Sequence, residues 1–307
     1  MRHLLVGIAG LVAGCATIPE TALIADEPCS STAAGLGSIL ISGEKIPRQE
    51  LDARLVVAFG DVHLDLCGGA HRMRFDVGPD VERLTVTGAA HLGSETSLSA
   101  LADQDLFSLA SDETDLVLQH LDLTSDRILP DRLRTGALEL EGVRLIGDAR
   151  LRYLGPSAVL TDVDVIGPAR ASFSAMTQEA SRFSLQGEDA YVMFDSALRH
   201  TAEIEDLELV GCTRCEVEVT GALDLRQATM RDNDYSQVWA RKGATVRGGV
   251  FEGNRSTPLH VGGWMEVRAA RFGDGELENE GGDVRFGTRS YDWDGLVDQD
   301  CDRQGCG

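Results

Sequence analysis

Arg226, Arg247 and Arg268 recur every 21 residues. Guanidinium groups repeated that regularly can clamp the carboxylates of an acidic polymer or neutralise carboxylates of the protein itself. Partners for the second use stand two residues before each repeat position, at Glu203, Asp224, Thr245 and Glu266. Both readings stay open. One is a salt-bridged face on which each exposed pair contributes about 0 to 1 kcal/mol; the other is a track for an acidic glycan. A polysaccharide lyase would take its base from one of these arginines and hold Ca²⁺ on nearby aspartates. No acid, base and metal ligands converge with the arginines in the sequence, so the expectation leans away from an enzyme.

Aromatic residues supply a second set. At a neighbouring outward position the same spacing gives Phe194, Glu218, Trp239 and His260, and Trp264 falls at the following corner. With aromatics at 5% of the chain, an exposed tryptophan is a candidate sugar-stacking platform or partner hot spot. The other histidines, His63, His71, His91, His120 and His200, have no metal-ligand spacing and read as surface residues. Apart from Cys15, the cysteines fall into sequence pairs: Cys29 with Cys67, Cys212 with Cys215, Cys301 with Cys306. An even set in an oxidising compartment reads as disulfides. A redox CxxC would sit at a helix start, but the flanks of Cys212-Thr213-Arg214-Cys215 are strand-like, and zinc would need two more ligands.

A repeat must position these groups. The template Φ-x-Φ-x-x-Φ-x-Φ ends at Leu145, Val165, Leu185, Leu209, Met230, Phe251 and Phe272, with steps of 20, 20, 24, 21, 21 and 21 residues. Of its 28 apolar positions only Gln178 and Gly249 fail, whereas about twelve matches would arise from composition alone. Weaker copies ending at Leu123, Leu106, Val86 and Leu66 bring the expectation to about eleven coils. A second inward column, eight residues after each anchor, is expected at Tyr153, Phe173, Met193, Val217, Val238 and Leu259. Three short strands in about 21 residues leave no room for a helix pair and predict one turn of a parallel β-helix, with coils about 4.8 Å apart. Leucine-rich repeats share the period, but with only three Asn in the chain their Asn or Cys ladder position is missing.

The pattern over residues 56–280 resembles the right-handed parallel β-helix superfamily of pectate lyases and polygalacturonases, which implies an all-β solenoid in a single domain. The resemblance is one of architecture, and such folds host lyases, hydrolases, adhesins and spacers alike. The paired aspartates, Gly-His-Gly and Arg-x-Lys of the polygalacturonases do not occur as strings. The nearest acidic pair, Asp162 and Asp164, reads as solvated surface.

The two ends differ from the repeat. Residues 1–14 carry a charged start and an apolar run too short to span a bilayer. Val12-Ala13-Gly14-Cys15 resembles the lipobox of bacterial lipoproteins. That resemblance implies a cleaved signal peptide, lipid on Cys15 and an outer-membrane anchor facing the periplasm or the cell surface. Residues 15–55 read as a lipidated tether and cap, and residues 281–307 as an acidic tail. Asp292, Asp294, Asp298, Asp300 and Asp302 in that tail resemble the calcium loops of thrombospondin type 3 repeats and EF-hands, which implies Ca²⁺ on alternating oxygen ligands. Ser290 and Cys301 depart from the EF-hand pattern, and an acidic tail stapled by Cys301 and Cys306 is the competing expectation. The net charge of −22 argues against nucleic acid as a partner. The expected function is a lipid-anchored envelope module with a non-enzymatic binding or structural surface, for an acidic glycan or an envelope protein. The alternative is a lyase or hydrolase of an acidic glycan.

Overall fold

The 20- to 24-residue steps become hydrogen-bonded rungs. The computed structural model describes residues 24–26, 29–34, 38–42, 53–59, 62–66, 68–89, 95–101, 104–129, 135–196, 200–255, 258–272, 277–279 and 284–286, with side-chain burial between residues 63 and 271. The described elements are strands, with no α-helix among them. From Ala53 onward they pair with one another in parallel, coil on coil, as a β-solenoid with three sheets.

In the first sheet the inward column runs Leu64, Val86, Leu118, Leu140, Leu160, Ala180, Ile204, Leu225, Val246 and Val267. Those nine steps are the turns of the described core, against the eleven expected. The second sheet stacks His71, Leu98, Leu123, Leu145, Val165, Leu185, Leu209, Met230, Phe251 and Phe272. Leu123 therefore belongs where the repeat put it, but Leu106, Val86 and Leu66 do not. Leu98 and His71 take the two positions above Leu123. Val86 lies in the first sheet instead, and the coil from Val86 to Leu118 spans 118 − 86 = 32 residues. A search at a step near 21 therefore crosses from one column to another. His71 is buried on that column rather than on the surface.

The third sheet stacks Tyr153, Phe173, Phe194, Val219, Ala240 and Val261, and two residues earlier Leu151, Ala171, Val192, Val217, Val238 and Leu259. Phe194 thus points inward, stacked on Phe173 with centroids 5.6 Å apart. Met193 faces outward, the reverse of the expectation for both. The cause is corner length, which grows from six residues (Leu145 to Leu151) to seven (Leu185 to Val192) and eight (Leu209 to Val217), so an offset of eight meets an inward residue after the six- and eight-residue corners and an outward one after the seven-residue corner. The core these columns form is nearly continuous, and each fully buried Leu, Val or Phe contributes about 1.5 to 3 kcal/mol.

One residue per coil makes the bend between the first and second sheets. It stands three positions before each second-sheet anchor, at His120, Gly142, Asp162, Arg182, Asp206, Gln227, Gly248 and Ala269, and all have positive φ, from 50° to 76°. Six of these eight bends are made by L-residues rather than glycine, for which that conformation costs about 1 to 2 kcal/mol each. Rung-to-rung hydrogen bonds around the bend, such as Gly142 N–H to Thr161 O and Asp164 N–H to Val143 O, offset it. The bend lets residues on both sides of it, Leu140 and Val143 for example, point into one core. Gln178, which breaks the apolar template, is buried and donates its amide to Phe173 O and Asp195 O at 2.8 and 3.0 Å.

At the N-terminal end the pairing turns antiparallel. Cys29–Ala34 pairs with Ile24–Asp26 and lies against Val62–Asp65, while Ser38–Ser42 lies against Ala53–Phe59. These strands occupy the edge that a first coil would otherwise leave unpaired.

Candidate functional site

The arginine column forms as the spacing predicts: Glu205, Arg226, Arg247 and Arg268 are register partners on successive rungs of the first sheet. Its charges are met from within. Arg226 Nη2 lies 2.6 Å from Asp224 Oδ2 and 3.3 Å from Glu203. Arg247 Nε is 3.7 Å from the other oxygen of Asp224, and Arg268 Nε donates to Glu266 at 2.7 Å. The Asp224 hydrogen bond raises the pKa of Arg226 above its ordinary value. Asp162 and Asp164 are likewise engaged across rungs. Asp162 receives Arg182 Nη2 at 2.6 Å and Asp164 accepts from Ser184, and the Arg182 hydrogen bond holds the Asp162 carboxyl below the usual carboxylate range.

On the third sheet, Trp239 and His260 are register neighbours with centroids 5.4 Å apart in an edge arrangement. Glu218 of the expected column and two residues that the spacing did not point to, Tyr191 and Arg241, complete the group. The Arg241 guanidinium lies 5.1 Å from the Trp239 centroid and forms an ion pair with Glu218, which also accepts from Tyr191 Oη at 2.7 Å. Burial, with Glu218 adding to it, raises the Tyr191 pKa, so this phenol stays a hydrogen-bond donor. The 21-residue step from Glu218 to Trp239 was the available signal for the column; the lateral contacts of Tyr191 and Arg241 had none.

Trp264 is at the corner that follows, half exposed, in register with Gly243. A methyl group at Gly243 would come within 2.5 Å of the Trp264 indole, so the ring lies directly over that glycine.

The CxxC occupies a different corner. Cys212 and Cys215 are fully buried and joined in a disulfide. One coil on, Asn233 and Ser236 take the corresponding places, and Asn254 follows Asn233 after another 21 residues. Asn233 Oδ1 accepts from Cys212 N–H at 2.8 Å, and Ser236 Oγ accepts from Cys215 N–H at 3.0 Å. A short asparagine ladder therefore exists where the sequence reading found none, and the disulfide is its last rung. Enclosure in that ladder gives the cysteines a structural place in the corner.

Cys15, Cys67, Cys301, Cys306, Asp292, Asp294, Asp298, Asp300 and Asp302 lie outside the described residues, and Cys29 is described by its backbone alone. No family model matches the chain, and no curated protein or solved structure is found similar to it.

Proposed function

We propose that the chain is a lipid-anchored envelope protein whose solenoid serves as a stiff, non-catalytic surface, spacing and binding components of the envelope, with a polysaccharide as its ligand. The supporting observation is the ion pairing of the first sheet. Arg226, Arg247 and Arg268 each have a carboxylate of the same or the preceding rung within 3.7 Å or less. That arrangement ties coils to one another. It also works against the competing lyase, because an arginine acting as a base must lose its proton, and Asp224 moves the pKa of Arg226 in the opposite direction.

The test incubates the chain with acidic and neutral polysaccharides in calcium, following retention, absorbance of unsaturated uronate and reducing ends together. Retention without product is expected. Release of unsaturated or reducing-end product from any substrate overturns the proposal in favour of the lyase or hydrolase.

A further inference from the structure

We propose that the corner built from Arg241-Lys242-Gly243 and, one rung on, Gly262-Gly263-Trp264 binds a carboxylated pyranose unit of a polysaccharide. The inference rests on the glycan-binding function above and moves its contact point from the first-sheet arginines to this corner.

Three glycines shape the place. Gly262 N–H donates to Ala240 O at 2.9 Å. A methyl at Gly262 would lie 2.6 Å from Arg241 O, and one at Gly263 would lie 1.8 Å from Lys242 O. The backbone of one rung is thus set so closely on the rung before it that no side chain fits between. Two consequences follow. Arg241 and Lys242, both exposed, have glycines rather than side chains as their neighbours on the next rung. Trp264, meanwhile, lies over Gly243, the residue directly after those two cations.

The indole is 48% exposed. With one side on backbone and the rest open, it offers an extended π-surface rather than a concave pocket. A sugar ring suits such a surface, since its C–H face is slightly positive and the indole face is negative. A protein side chain would need a pocket to be desolvated. The cations choose the sugar class. Arg241 is already oriented by its ion pair with Glu218 and its position over Trp239, so little side-chain entropy remains to be lost when a carboxylate arrives. Lys242, also exposed, adds a second positive charge beside it. Arg241 and Lys242 set two cations next to each other at the edge of this shelf. Most of the negative charge of the whole chain is screened beyond about 8 Å at physiological ionic strength.

The experiment titrates the full chain, kept in detergent, with oligogalacturonate and with a cello-oligosaccharide of equal length, by calorimetry and tryptophan emission. The acidic oligomer is expected to bind more tightly than the neutral one. Trp264→Ala should weaken binding about tenfold, the loss of one stacking contact. Trp264→Phe should restore most of it, which separates stacking from misfolding. Lys242→Gln should weaken binding and flatten its salt dependence. Binding by the wild-type chain that Trp264→Ala leaves intact overturns this site while the glycan-binding function stands. Equal affinity for the neutral oligomer overturns the carboxylate assignment. Failure of the wild-type chain to bind either probe overturns the site, and the polysaccharide panel then decides whether glycan binding falls with it.

Discussion

Asn233 and Asn254 are stacked inside one corner of the solenoid, with Asn233 Nδ2 donating to Asn254 Oδ1 at 2.9 Å. Each amide also reaches back to the coil before it, Asn233 to Leu209 O and Asn254 to Met230 O, both at 2.9 Å. The pair therefore ties three successive coils together at this corner through buried side-chain to backbone hydrogen bonds.

Replacing Asn233 by Ala leaves Leu209 O, Cys212 N–H and the Asn254 carboxamide without that partner. Buried groups left unsatisfied cost about 1 to 3 kcal/mol each before relaxation, so Asn233→Ala should destabilise the chain by about 2 to 4 kcal/mol in denaturant titration. A loss below about 0.5 kcal/mol would mean that the ladder is incidental.

The disulfide should be exchangeable for that same ladder. Sγ of Cys212 lies 3.5 Å from Leu185 O, where the next coils place an asparagine amide against Leu209 O and Met230 O. The double change Cys212→Asn, Cys215→Ser should keep the melting temperature near that of the oxidised protein and remove the part of its response to reductant that the Cys212–Cys215 disulfide carries. Cys212→Ala with Cys215→Ala should lose about 1 to 3 kcal/mol more, by leaving the carbonyl without a donor. Equal stability of the two double variants contradicts the exchange.

Acid sensitivity should change with Arg182. The folded-state pKa of Asp162 is lowered by Arg182, so its contribution is present above the unfolded carboxylate value near 3.9 and is lost as pH falls through the lower folded value. Arg182→Gln should thus melt below the wild type at pH 6, with the gap closing toward pH 2. A gap that persists at pH 2 would assign the effect to packing. Both side chains are about half exposed, so the difference should be small and should shrink with salt.

The first-sheet and second-sheet columns from Leu138 onward were legible because one apolar template fixes both faces of each coil. The earlier coils were not, since the 32-residue coil between Val86 and Leu118 breaks the period and substitutes one column for another. The bend residue was hidden for a different reason. Left-handed backbone is usually flagged by glycine, yet here Asp162, Arg182, Asp206, Gln227 and Ala269 adopt it, held by hydrogen bonds to neighbouring rungs that no single coil encodes. The arginine column was read correctly as a column. Its pairing to Asp224 and Glu266 was one of two open readings, because side-chain direction is set by the pleat and not by spacing. The Arg241-Glu218-Tyr191 group joins side chains that are lateral neighbours across coils, and the glycine shelf under Trp264 depends on rung-to-rung contact.

The most direct measurement asks whether the chain holds a polysaccharide without altering it. Sedimentation of the protein with insoluble acidic and neutral polysaccharides, with unsaturated uronate and reducing ends followed in the same tubes, should show protein in the pellet and no rise in either product signal. Product accumulating with time, and abolished by Arg226→Ala, would contradict a non-catalytic surface and make the arginine column an active site.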